Sequence, residues 1–159
     1  MSLDRFKQAQ EDPQSGFATA LAELRAGRKT SHWIWYILPQ LASLGRSDTA
    51  RFYGIADLAE AHAYLNDATL HERLLRVTQA ISQQLARGVR VPDLMGGEGD
   101  SLKLLSSMTL FSRAAQTLDA GATAPRFADL AAACDSVLNL AARQGYSRCA
   151  HTEAVCTNG

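Results

Sequence analysis

Apolar residues fall along this chain at intervals of three and four, the spacing of one face of an α-helix. In "SGFATALAELRAG", Phe17, Ala20, Leu21 and Leu24 share a face, and Gly27 stands where a left-handed C-terminal cap belongs. "DLAEAHAYLN" opens on Asp57 with Glu60 three residues later, the pattern of a capping box, and brings Leu58, Ala61 and Leu65 together. Asp67 can cap the next run, "DATLHERLLRVTQAISQQLARG", whose stripe of Leu70, Leu74, Val77, Ile81 and Leu85 stops before Gly88. Late in the chain, "PRFADLAAACDSVLNLAARQG" repeats the pattern through Phe127, Leu130, Ala131, Cys134, Val137, Leu138 and Ala141, and ends at Gly145. β-Branched residues are sparse, and no Asn-Gly or Asp-Gly turn separates alternating runs. The expected fold is mainly α, one domain over residues 1–145 with about six or seven helices, followed by a polar, flexible tail over 146–159.

Two segments break this regularity. "WIWYILP", residues 33–39, is apolar on every side. It reads as a short helix capped by Ser31 and stopped by Pro39, with a buried strand as the alternative. If helical, it sets His32, Trp35, Tyr36 and Pro39 on one face and Trp33, Ile37 and Gln40 on another. Histidine is costly to bury unpaired, and the indole and phenol each need a polar partner. The segment therefore reads as part core and part cavity wall, against the simpler alternative that the aromatics only fill core. The second segment is "GEGDSLKLLSSMTLF", residues 97–111, where a glycine-rich loop leads through Asp100, the expected N-cap, into a helix. That helix carries Lys103, Ser106, Ser107 and Thr109 among Leu102, Leu104, Leu105, Met108, Leu110 and Phe111. A helix start of this kind offers free N–H groups to an anion, although the glycine spacing is not that of a Walker loop. Lys103 is the stronger oddity, because an ammonium in such a helix needs a carboxylate, a ligand anion or a path to the surface along its stem.

Composition narrows the classes. With 16 basic and 16 acidic side chains in 159 residues, the chain has no net field to draw it to nucleic acid. Its apolar runs are far shorter than the roughly 20 residues of a membrane span, and the N-terminal stretch has no apolar signal core. A cytoplasmic location is expected, with neither membrane nor nucleic acid as partner. Cys134, Cys149 and Cys156 are odd in number and lack a Cys-x-x-Cys pair, so reduced thiols are expected. Cys149, His151 and Cys156 lack the fourth ligand of a structural zinc site, and no metal or cofactor is expected.

Together, "RKTSHWIWYILPQLASLGRS", "YGIADLAEAHAYL" and "DSLKLLSSMTLF" resemble the bacterial DUF1810 family over about residues 4–115. The resemblance implies a mainly helical fold and places the family's distinctive residues on Ser31, His32, Trp33, Trp35, Pro39, Gln40, Leu44, Gly45, Tyr53, Glu60, Ala61, Tyr64, Leu65, Asp100, Lys103, Ser106, Ser107, Thr109, Leu110 and Phe111. The C-terminus departs from the family pattern of Gly-x-x-Asp: Gly145 is followed by Tyr146, Ser147 and Arg148. A calpastatin-like label attached to some members does not fit, because calpastatin inhibits as a disordered chain and this composition is globular.

The functional expectation is a small-molecule site for a nucleotide- or sugar-phosphate-like ligand where the His32–Gln40 segment meets the Asp100–Thr109 helix. In that reading Trp33 or Trp35 stacks on a flat ring and Lys103 neutralises an oxyanion. His32, Asp100 or Glu60 handles a proton, while Gln40, Tyr53, Ser106, Ser107 and Thr109 orient the ligand. By analogy with bacterial N-glycosidases of similar general look, hydrolysis is one outcome. The alternative is a non-catalytic binding protein or a homodimer joined through its aromatic surface.

Overall fold

The computed structural model describes residues 2–158. Among these the chain forms ten α-helices and no strand: α1 (Asp4–Gln10), α2 (Phe17–Ala26), α3 (Ile34–Ile37), α4 (Asp48–Phe52), α5 (Leu58–Asn66), α6 (Ala68–Ala86), α7 (Val91–Met95), α8 (Glu98–Asp119), α9 (Ala128–Ala142) and α10 (Ala150–Asn158), with a 3-10 turn at Ala42–Leu44. The helical class is as expected, and the count exceeds six or seven. The additional helices are α1, α4, α7 and α10. The first three have 7, 5 and 5 residues, too short to display an apolar stripe of their own.

The longer helices follow their local signals. Asp57 and Asp67 accept the N–H groups of Glu60 and Leu70 and start α5 and α6, and Gly27 ends α2 in the left-handed conformation at φ 90°. The stripe of α6 from Leu70 to Leu85 is buried against α9 and α2. α8 is the central element, enclosed by α9, α5, α10 and α7, and it is buried continuously from Leu104 to Ser112. This explains why its sequence has almost no solvated face. One apolar cluster runs from Phe6 through Trp33, Tyr64 and Phe111 to Val137.

Within the stretch 146–159, expected as a flexible tail, residues 150–158 form α10 with Thr152 and Cys156 buried; Gly159 lies outside the described residues. The cause is tertiary. The Cys149 N–H donates to Thr109 Oγ1 at 3.1 Å, and Arg113 meets Glu153 at 3.8 Å, so α8 supplies the partners that local pattern does not reveal.

The aromatic segment is helical for only one turn. Trp33 occupies the N-cap position in place of Ser31, and the chain leaves α3 at Leu38 to run extended beside the stretch after α4. There Leu41 and Ile55 form an isolated parallel bridge, with Ala42 N–H to Ile55 O and Ile55 N–H to Gln40 O both at 2.8 Å. Gly54 permits the approach: a Cβ there would lie 2.3 Å from the Ala42 Cα. Arg5 locks the same region from α1, donating to the Phe52 and Gly54 carbonyls at 2.8 and 2.9 Å and pairing with Glu60 at 3.0 Å.

Candidate functional site

The segment entering α3 is anchored on a carboxylate that sequence reasoning passed over. Glu23, on α2, accepts hydrogen bonds from the N–H groups of Thr30 and Ser31 at 2.8 and 2.9 Å, from Ser31 Oγ at 2.5 Å and from Trp33 Nε1 at 3.0 Å. Burial would raise its pKa, but the Ser31 hydroxyl, the Thr30 amide, the Trp33 indole and the Ser31 amide together hold the carboxyl down at about 2. This clamp turns the loop so that Trp33 enters the core, fully buried, while Trp35 stays half-buried at the surface.

Each tryptophan carries a lysine on its ring. Lys29 Nζ lies 5.0 Å from the Trp33 ring centre, and Lys103 Nζ lies 5.4 Å from that of Trp35. The two ammonium groups share one acid: Asp100 Oδ2 is 2.8 Å from Lys29 and Oδ1 is 3.5 Å from Lys103. Lys29 is the drier of the two, with 6% of its side chain exposed against 31% for Lys103, and it also donates to the Ser31 carbonyl at 2.6 Å. Asp100 stands in the first turn of α8, whose N-cap is Gly97 rather than Asp100. With Glu98 and Asp100 both in that first turn, the helix already presents negative charge at its positive end.

Beside Lys103 opens a cleft of about 570 Å³ between α8 and the stretch from Gln40 to α4, lined by Gln40, Leu44, Arg46, Ser47, Ala50, Gly99, Leu102, Lys103 and Ser106. Its size suits a small metabolite. Arg46 is exposed and meets no carboxylate among the described residues, and Leu102 is 55% exposed at the cleft. The far side of Ser106 leads to α10. There Cys149 Sγ accepts from Thr152 Oγ1 at 3.2 Å, and His151 Nε2 is 2.8 Å from Ser43 Oγ, next to Leu44. Burial raises the Cys149 pKa, but hydrogen bonds from the Thr152 and Ser106 hydroxyls and the Thr152 and His151 amides outweigh it and bring the thiol below its ordinary value.

The structure thus gathers part of the expected set. Gln40, Lys103 and Ser106 line the cleft, Trp35 supports Lys103, and Asp100 pairs with it. The others lie elsewhere. His32 is exposed, and among the described residues only its carbonyl is bonded, by Tyr36 at 3.2 Å. Tyr53 belongs to an aromatic cluster with Phe6, Tyr36 and Phe52. Glu60 is committed to Arg5 and to the Ala56 N–H. Ser107 is fully buried, and Thr109 spends its hydroxyl on the Leu105 carbonyl and the Cys149 N–H.

The family model described as "Protein of unknown function (DUF1810)" matches residues 1–127. The chain belongs to the DUF1810 family. The match contains every residue of the cleft and stops just before α9, so α9 and α10, with Cys149 and Arg148, fall outside it. In this DUF1810 protein Arg148 reaches Asp135 of α9 at 3.4 Å. The crystal structure of the conserved hypothetical protein Rv1873 from Mycobacterium tuberculosis is similar over 96% of this chain and 94% of that one, at 37% identity and a TM-score of 0.76. No curated protein matches the chain. Among the described residues no helix is long and apolar enough to cross a membrane.

Five residues of this DUF1810 site escaped the sequence reading: Glu23, Lys29, Arg46, Ser47 and Ala50. "LGRS" stood out as an irregular loop, but nothing local distinguishes Arg46 from any exposed arginine. Lys29 finds its carboxylate partner, Asp100, 71 positions away in the chain, and Glu23 accepts from the Trp33 indole 10 positions away.

Proposed function

We propose that the cleft between α8 and the Gln40–Ala50 stretch binds a small phosphate-bearing metabolite of the nucleotide- or sugar-phosphate kind. The observation that carries this reading is the pairing of Arg46 and Lys103 as the two charged groups of a cleft with no carboxylate among its described lining residues. Gln40, Ser47 and Ser106 add neutral hydrogen-bonding groups, and Leu44, Ala50 and Leu102 provide apolar surface for the organic part. Binding is favoured over hydrolysis because both oxygens of Asp100 are engaged by lysines and His32 is exposed, outside the described lining of the cleft. A general base would have to come from a group free to take a proton beside the ligand.

The test is thermal melting and isothermal titration of wild type and Lys103→Met with ribose 5-phosphate and AMP. Methionine keeps the stem volume over Trp35 and removes the charge. The variant should melt within about 0.5 kcal/mol of wild type in stability, as partly exposed positions do, and lose the ligand response. Equal ligand responses in the two proteins would remove the cleft from consideration.

A further inference from the structure

The charge of the cleft is decided outside it. Among the described residues Lys103 has one acidic neighbour within ion-pair reach, Asp100, and the same carboxylate makes a shorter contact with the more deeply buried Lys29. Coulombic attraction grows as distance and hydration fall, so the negative charge of Asp100 is neutralised first by Lys29. Lys29 cannot easily leave: its Nζ also holds the Ser31 carbonyl and faces the Trp33 ring, and its own N–H donates to the Leu94 carbonyl at 2.7 Å. The trio of two lysines and one aspartate thus carries one surplus positive charge, located at Lys103. Arg46 supplies a second across the cleft.

We propose that the cleft selects doubly charged phosphate monoesters over singly charged esters, and that Lys29 is the positioning residue that sets this valence without touching the ligand. The proposal rests on the reading that the cleft binds phosphate esters. Without Lys29, Asp100 would pair with Lys103 alone, and the surplus charge at that wall would vanish while the cleft kept its shape.

The experiment is titration calorimetry at pH 8 with glucose 6-phosphate, which is doubly charged there, and glucose 6-sulfate, which has nearly the same shape and a single charge. Wild type should prefer the phosphate by about tenfold or more. Lys29→Met should weaken glucose 6-phosphate about tenfold and bring the two esters together. The double variant Lys29→Met with Asp100→Asn, which removes the acid along with its partner, should recover binding to within about threefold of wild type. A purely structural role for Lys29 predicts no such recovery. Lys29→Arg, which keeps the charge, should retain both affinity and preference. If folded Lys29→Met binds like wild type, or the folded double variant stays weak, or folded Lys29→Arg loses the preference, the role of Lys29 is overturned and the cleft reading stands. If wild type binds neither ester, both fail.

Discussion

Replacing Glu23 by glutamine keeps the size of the side chain and one carbonyl acceptor while removing the charge that four donors now share. The carboxyl's fall from 4.5 to about 2 in the folded protein sets a ceiling of about 3 kcal/mol on the stability it contributes. Glu23 is partly exposed, and solvent screening lowers that to about 1 to 2 kcal/mol. Because the folded pKa is the lower one, the contribution is complete above about 4.5. It declines as the unfolded chain takes up the proton first, and it is gone once pH falls through about 2. Urea unfolding of wild type and Glu23→Gln, followed by tryptophan fluorescence from pH 7 down to pH 2.5, measures the difference directly, and the titration of every other carboxyl cancels between the two proteins. The gap should be about 1 to 2 kcal/mol at pH 7 and close steadily below pH 4.5. A gap that stays constant with pH, or widens in acid, would show that the clamp on Thr30, Ser31 and Trp33 is not electrostatic.

Gly54→Ala should destabilise by about 2 to 4 kcal/mol in chemical denaturation, because its Cβ meets the Ala42 backbone with no flexible atom to yield, and wild-type stability would refute the close approach. Thr109→Val, nearly isosteric, leaves the Cys149 N–H without its acceptor and should cost about 1 to 2 kcal/mol, with hydrogen exchange across 150–158 accelerated more than across α9. Iodoacetamide should alkylate Cys149 before the buried Cys134 and Cys156, with a rate that rises through a midpoint below 9, the ordinary thiol value; mass spectrometry of early adducts would reveal any other order.

The helical class, the caps at Asp57, Asp67 and Gly27, the buried stripe of α6 and membership of the family were legible in the sequence, because each depends on residues within a few turns of one another. That the aromatic segment and the Lys103 helix meet was an expectation only, and the structure sets Lys103 over the Trp35 ring while leaving His32 exposed. What only the tertiary structure decided was the division of labour within those segments. Trp33 went to the core and Trp35 to the surface beneath Lys103, because Glu23 on α2 fixes the loop that enters α3. α10 has no apolar period of its own and is held by Thr109 and Arg113. Asp100, adjacent to Lys103 by spacing, makes its tighter pair with Lys29. Local pattern reports which faces are buried; it does not report which distant charge arrives at a buried face, and that pairing depends on three-dimensional distance and local hydration.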